Sequence, residues 1–455
     1  MASGVFDDVL LKHLWSTEEL RAIFSDSNRV AKWYAFEVAL AEEQGRMGII
    51  PKAAAREIAE KASIDKVDIE KIAAEIRRIK HPLIPALKAV EEICSEGLGE
   101  YIHFGPTTQD VLDTAAMLQM RDAHRIFIRD MKAVGRALAR LVEEHRETPM
   151  VGRSHGVQAL PITFGHKAAI WLSEMGRNYE RLHQLEERVF VGGLVGAVGT
   201  QASLGDRAPE LEQHVMRRLG LGVADINWQP ARDRFAEYIC VLAIIAGTLG
   251  KIANEIVNLE HTEIGELYEP FSEGKVGSST MPHKRNPSTC EAVVGVSRAL
   301  RYNAAMMLEC MVIEHERDGS SWRAEWKAVP ESCLMMGGML SMMKYVLEDL
   351  HVDRSQMREN LDRLGGFLLS ERVMFVLSQK VGKQTAHELV YQVSMHGIET
   401  GITFERALTE NAEVSKALTN AEIRAALDPE SYLGHAHAIV DRVLKEQREN
   451  GWLNG

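Results

Sequence analysis

The sequence predicts an all-α protein organised around a bundle of long helices. Three observations carry that expectation. Ala, Leu, Glu and Arg recur throughout, against only 13 prolines and 6% aromatic residues in 455 positions, which favours helix over sheet. Several runs are far longer than ordinary globular helices and contain no proline. The stretches that interrupt them are short and rich in Gly, Pro and Ser.

Taken in order, the chain opens with shorter helical segments up to about residue 112, including Lys80-His81-Pro82-Leu83. After Asp113, Ile128, Met131, Val134, Leu138, Leu141 and Val142 recur at spacings of three or four, while Arg129, Asp130, Lys132, Arg136 and Arg140 fill the other faces. That pattern is an amphipathic helix of many turns. Pro161 is suited to a helical first turn and is followed by a proline-free run to about Val189. Arg232–Leu267 is a third run, a fourth follows Pro287, and a fifth lies around Glu331–Leu350. Helices of this length predict coiled-coil-like packing in a bundle. Gly192–Gly205 is glycine-rich and small, the composition of a turn or a close backbone approach. Glu269–Pro287, with three prolines, two glycines and four Ser/Thr, is a loop. Three domains are expected: 1–112, a central bundle 113–364 carrying the loop 269–287, and a C-terminal helical domain 365–455.

Composition narrows the function. The chain is 45% hydrophobic and 26% charged with a formal net charge of −12, and no dense Lys/Arg tract stands out, so a nucleic-acid partner is not expected. Cys94, Cys240, Cys290, Cys310 and Cys333 are scattered, with no metal-ligand spacing, so free thiols in a reducing cytoplasm are expected. His315 lacks a second histidine four residues on, which argues against zinc. No metal or cofactor is expected. The N-terminal stretch lacks the basic start of a signal peptide. Of two uncharged stretches, Val189–Gly205 is diluted by glycine and Tyr238–Gly250 is short for a bilayer, so no membrane association is expected. The Met pairs near 306, 335 and 342 read as core or interface filler.

The strongest chemical signal is Gly277-Ser278-Ser279-Thr280-Met281-Pro282-His283-Lys284-Arg285-Asn286-Pro287. It delivers hydroxyls, a lysine and an amide within about ten residues, and Lys284 and Asn286 can both donate to a carboxylate. Read from composition alone, a solvated linker fits equally well. The segment resembles the GSSxMPxKxNP signature of the fumarase/aspartase superfamily, matching at every fixed position. Two further segments resemble that family in the expected order. His103-Phe104-Gly105-Pro106-Thr107-Thr108-Gln109-Asp110 is similar to its H-x-G-x-T-S-x-D segment, with Thr108 for the commoner Ser. Gly152-Arg153-Ser154-His155-Gly156, with Gln158, is similar to the G-R-T-H-G segment of adenylosuccinate lyases.

The resemblance implies the L-aspartase-like fold, a homotetramer whose subunits pool five long helices each into a twenty-helix core, and active sites shared by three subunits. It implies anti elimination beside a carboxylate of a small dicarboxylate substrate. A base takes a proton, the aci-carboxylate is held by donors, and an acid protonates the leaving group. Ser278 would be the base, with Ser279 beside it as the alternative, and His155 the acid. His81 would be a further catalytic-site histidine, although Pro82 replaces the acid usual after it. Glu291 would bond and tune a histidine. His103, Thr107, Thr108, Gln109, Ser154, Gln158, Lys284 and Asn286 would bind substrate.

The distal end departs from adenylosuccinate lyases. Those typically open with an Arg-Tyr pair, where this chain has His13-Leu14-Trp15-Ser16. In place of their Ser-rich phosphate segment stands Glu314-His315-Glu316-Arg317-Asp318-Gly319-Ser320-Ser321-Trp322-Arg323-Ala324-Glu325-Trp326, which is similar to carboxymuconate cycloisomerases. The expected reaction is release of fumarate from an N-substituted aspartate by C–N cleavage. Carboxymuconate-type lactonisation is the alternative, and a catalytically silent structural homologue is the alternative of another class.

Overall fold

A computed structural model describes residues 4–271, 280, 281 and 283–454. Ser278 and Ser279, the two candidate bases, lie outside the described residues. The fold is all-α. Ten helices matter here: α1 (Asp26–Met47), α2 (Ile69–Ile79), α3 (Thr108–Glu144), α4 (Phe164–Gln184), α5 (Ala208–Leu219), α6 (Asp233–Glu260), α7 (Ser288–Glu309), α8 (Gly319–Glu348), α9 (Ser370–Val381) and α10 (Lys383–Thr400). The sheets among the described residues are three two-stranded pairs. One is the antiparallel hairpin of β1 (Pro149–Ser154) and β2 (Val157–Thr163).

The five long runs become α3, α4, α6, α7 and α8. Along α3, Met131, Val134, Leu138, Leu141 and Val142 are buried as the periodicity requires. Two details differ from the sequence reading. Pro161 lies in β2 rather than in a first helical turn, because the chain pairs back on Val151 before turning helical at Phe164. Pro330 sits inside α8, where the missing amide removes one rung of the ladder without ending a helix that packing holds. Among the described residues α6 alone is long and apolar enough to cross a membrane. Tyr238, Ile239, Leu242, Ile245, Ala246 and Leu249 on it are wholly buried in the protein, as in a core helix.

The chain divides into two compact units. The first comprises Met1–Asp130, Asn178–Leu249 and Gly295–Ser341. Its core packs Trp33, Phe36 and Leu40 of α1 with Ile72 of α2, Val111 of α3 and Leu211 and Val215 of α5. Gly192 admits Met216 so closely that a Cβ there would lie 2.2 Å from its Sδ, which accounts for one glycine of the 192–205 stretch. The second unit comprises Met131–Arg177, Gly250–Val294 and Met342–Gly455. It holds the hairpin, whose Val151 packs with Leu361 and Leu368, and a separate core of α9 and α10 with Phe404, Leu408 and Ile423.

Candidate active site

In the first unit the sequence motif 103–110 forms a turn ahead of α3. His103 adopts a left-handed backbone, φ 59°, rare for a residue with a side chain. The cause is a buried carboxylate. Glu37 of α1 accepts from the His103 backbone N–H at 3.1 Å and pairs with its ring Nδ1 at 2.7 Å. Burial pulls the His103 pKa down, but the hydrogen bond and charge of Glu37, with Asp110 nearby, raise it overall. His81 is its electrostatic neighbour and shifts the other way, lowered by burial first and by His103 second. The His81 Nδ1 accepts from the backbone N–H groups of Leu83 (3.3 Å) and Ile84 (3.2 Å). Amides only donate, so the proton of the neutral ring lies on Nε2, which faces Thr108 Oγ1 at 3.4 Å.

Asp110 ties this turn down. Its carboxylate accepts from the amides of Thr107, Val195 and Gly196 and from the Gln229 side chain, all at 2.9–3.2 Å. Burial raises its pKa to about 6 against those donors, which leaves it ionised at neutral pH. Thr107 Oγ1 accepts from Arg317 at 2.9 Å. Gln109 turns inward, buried, and donates to Asp113 at 3.0 Å. Asp113 also receives Trp322 Nε1 at 2.8 Å and belongs to a buried triad in which Arg232 bridges it to Glu325 at 2.7 and 2.6 Å.

In the second unit Gly152-Arg153-Ser154-His155-Gly156 forms the end of the β1–β2 hairpin. Ser154 pairs with Val157, so the turn has two residues, His155 and Gly156. Both have positive φ, 54° and 77°, the requirement of the hairpin turn that matches strand twist. His155 therefore stands exposed at the tip, with Ser154 exposed beside it and Gln158 half-buried. The stem is anchored by Arg153, bidentate on buried Glu266 at 2.9 and 2.7 Å, with Asn360 donating to the same carboxylate. The described part of the signature loop leads into α7. Glu269 accepts from the first amides of that helix, Thr289 N and Cys290 N, a carboxylate where the helix dipole wants one. Lys284 and Glu291 are exposed and Asn286 is half-buried.

Of the expected site residues, the structure thus brings His81, His103, Thr107 and Thr108 together in one unit, and carries Ser154, His155, Gln158, Lys284, Asn286 and Glu291 in the other. Glu37 carries no signal in the sequence, and Arg317 stands in the Glu314–Trp326 segment without a role. Nothing local marks Glu37, whose partner is 66 positions away. Asp110 stood in the motif without a role. All five cysteines are free thiols. Among the described residues no group of three or more His, Cys, Asp or Glu lies together as a metal site would need.

A long-helix scaffold carrying these three polar segments defines a lyase. Residues 15–301 match the family described as Lyase, and residues 366–443 that described as Adenylosuccinate lyase C-terminus. The chain belongs to this lyase family, within the fumarase/aspartase superfamily. It is 47% identical to the N-acetyl-S-(2-succino)cysteine lyase of Dickeya dadantii over 453 residues, covering 100% of both chains. It is 40% identical to the adenylosuccinate lyase of Pyrococcus abyssi, covering 96% of this chain and 98% of that one. The 3-carboxy-cis,cis-muconate lactonizing enzyme of Pseudomonas putida superposes with a TM-score of 0.92 at 32% identity, covering 97% and 100%.

Proposed function

We propose that this enzyme cleaves a succinylated thiol, of the N-acetyl-S-(2-succino)cysteine type, to fumarate and the free thiol. The observation that carries this reading is the full-length identity of 47% to a lyase of that name, against 40% to an adenylosuccinate lyase. The expectation of C–N cleavage is thereby refined to C–S within the same elimination. The substrate carries the leaving sulfur on the carbon beside one carboxylate and the acidic hydrogen on the carbon beside the other. A base takes that proton, the C–H pair becomes the C=C of fumarate, and sulfur leaves with the C–S pair and is protonated.

In this reading Ser278, or Ser279, is the base. Lys284 and Asn286 hold the carboxylate on which charge develops. His155 donates to the leaving atom. The His81 Nε2–H, with Thr107, Thr108 and Ser154, orients the substrate. His103 stays positioned by Glu37, Glu291 tunes a histidine and Gln158 lines the pocket. Gln109 acts through Asp113 rather than on substrate. A thiol, with an ordinary pKa near 8.5, leaves more readily than an amine and asks less of the acid.

The site residues are divided among surfaces that meet, in this proposal, only in a homotetramer with three subunits per site. The exposure of Ile170 on α4, Ile244 on α6 and Tyr302 on α7 supports partner contacts along the long helices, since a monomer would leave these apolar side chains wet. The three-part division at about 112 and 364, a cytoplasmic setting and independence of metal and cofactor belong to the same reading. Exhaustive chelation should leave activity intact.

The testing experiment is fumarate release, followed by ultraviolet absorbance, from N-acetyl-S-(2-succino)cysteine, adenylosuccinate and iminodisuccinate, with carboxymuconate assayed separately. The highest kcat/KM is expected on the thioether. A higher value on adenylosuccinate would restore the C–N reading, which the Gly152–Gly156 segment favours. Lactonisation alone would favour the muconate reading, and no activity the silent homologue.

A further inference from the structure

We infer that an aromatic groove on the first unit, walled by Trp322 and Trp326, receives the leaving-group half of the substrate and sets its class: a compact acylated amino acid rather than a phosphorylated nucleotide. The inference rests on the proposed elimination. The groove encloses about 710 Å³ between α1, α2, α3 and α8, within the range of small-molecule sites. Trp33, Ile72, Ile76, Leu112, Phe235 and Trp326 line it.

Three observations connect it to the reacting end. Pro82, next to His81, is part of its wall, and Leu112 lies one helical turn along α3 from Thr108. Trp322 is fixed by its bond to Asp113 at 2.8 Å, and Trp326 packs edge-on against it with ring centroids 4.9 Å apart. Trp326 nevertheless remains 41% exposed, a large apolar ring held open by its neighbour. Arg317, at the head of the same segment, reaches Thr107 Oγ1, so one stretch of α8 and its approach serves both the candidate substrate contact and the groove.

Charge sets the ligand. Of the acids on the wall, Asp113 and Glu325 share the single positive charge of Arg232, Asp26 faces Arg29 at 3.9 Å, and Glu70 is exposed. Arg77 also lines the groove, exposed and outside the ion pairs found among the described residues. The Arg77 guanidinium suits one carboxylate, such as that of an N-acylated cysteine. A phosphate dianion would face the carboxylates of Asp26, Glu70, Asp113 and Glu325 against the guanidinium groups of Arg29, Arg77 and Arg232.

The test compares wild type, Trp326→Ala, Trp326→Phe and Arg77→Gln on two thioethers: N-acetyl-S-(2-succino)cysteine and 2-(methylthio)succinate, whose leaving group lacks the acylated amino acid assigned to the groove. Trp326→Ala should raise KM for the first about 10-fold or more, with kcat changed less, and leave the second unaltered. Trp326→Phe should recover most of the loss, and Arg77→Gln should act on the first substrate only. Binding of N-acetylcysteine alone, measured by calorimetry, should weaken in parallel.

Equal shifts on both thioethers, or no shift on either, would overturn the groove assignment while the reaction stands. So would a changed oligomeric mass of Trp326→Ala, because the groove would then be a subunit contact. If wild type released no fumarate from either thioether yet bound N-acetylcysteine in a Trp326-dependent way, the reaction assignment would fail and the groove would stand. Neither turnover nor binding would remove both.

Discussion

The turn around His103 and the hairpin tip at His155 present histidines from similarly strained backbones, φ 59° and 54°, in opposite surroundings. His103 is held by buried Glu37, and its turn by Asp110, which collects four donors. His155 stands exposed on a two-residue turn, with only its stem anchored through Arg153 and Glu266. Positive φ in a side-chain-bearing residue persists only where surroundings or turn chemistry enforce it. Here packing enforces one and hairpin geometry the other. The difference teaches that one part of the proposed site is held by buried partners, while the other consists of exposed groups on an anchored stem.

The largest effect should come from the serine proposed as base. Ser278→Ala is expected to lower kcat by roughly 10²–10⁴, the range for a positioned base, with substrate Kd largely kept. Lys284→Ala should harm binding and rate together. Normal turnover in Ser278→Ala with a dead Ser279→Ala would exchange the two serines. Normal turnover in both would remove the serine mechanism.

His155→Ala should lower kcat by about 10²–10³ without moving Tm, because no buried partner is abandoned. The loss should be smaller for a thioether than for an N-substituted aspartate, since the thiolate needs less help. Subunit mixtures of His155→Ala and Ser278→Ala, assembled as the proposed homotetramer, should regain part of the activity each lacks. No recovery after verified subunit exchange would count against sites shared between subunits. A large drop in Tm would erase the contrast between the two regions.

On the side held by buried partners the effect moves to stability. Glu37→Gln removes the charge that favours protonated His103 and should cost about 1–3 kcal/mol. Its pH dependence has a definite sign. The raised folded pKa of His103 contributes stability that is fully present below the unfolded value of about 6.5 and fades as pH rises through the folded one. The lowered pKa of His81 acts oppositely, contributing above about 6.5. The Tm deficit of Glu37→Gln should therefore be larger at pH 6 than at pH 9. A deficit independent of pH would mean that packing alone, and not charge, holds the turn.

Much of this was legible because it is local. The long helices follow from a three-or-four repeat over many turns, and the three polar segments are contiguous in the chain. What escaped depends on distance. Glu37 meets His103, and Arg232 meets Asp113 and Glu325, only because helices far apart in sequence pack together. Gln109 read as a substrate contact from its motif, yet the helical period turns it inward to Asp113. Pro161 suits a first helical turn by residue type, yet the two-residue His155-Gly156 turn places it in a hairpin strand opposite Val151.

The smallest effects separate the two regions most cleanly, through their glycines. Gly156 has φ 77° and nothing within 4 Å of where a Cβ would stand. Gly156→Ala therefore carries only the left-handed backbone penalty, about 1 kcal/mol. Gly105 has φ 107°, and its Cβ would lie 2.5 Å from Cδ2 of Leu204, itself buried. Gly105→Ala adds overpacking to the same penalty, about 1–3 kcal/mol more. Thermal denaturation of the two variants should rank Gly105→Ala well below Gly156→Ala. Activity should not follow that order. A small change in the Gly156 turn re-aims the exposed His155, so kcat should fall in Gly156→Ala although Tm barely moves. If Gly156→Ala kept full kcat, the aim of the tip would not matter, and His155 would have to be positioned by a neighbouring subunit rather than by its own hairpin.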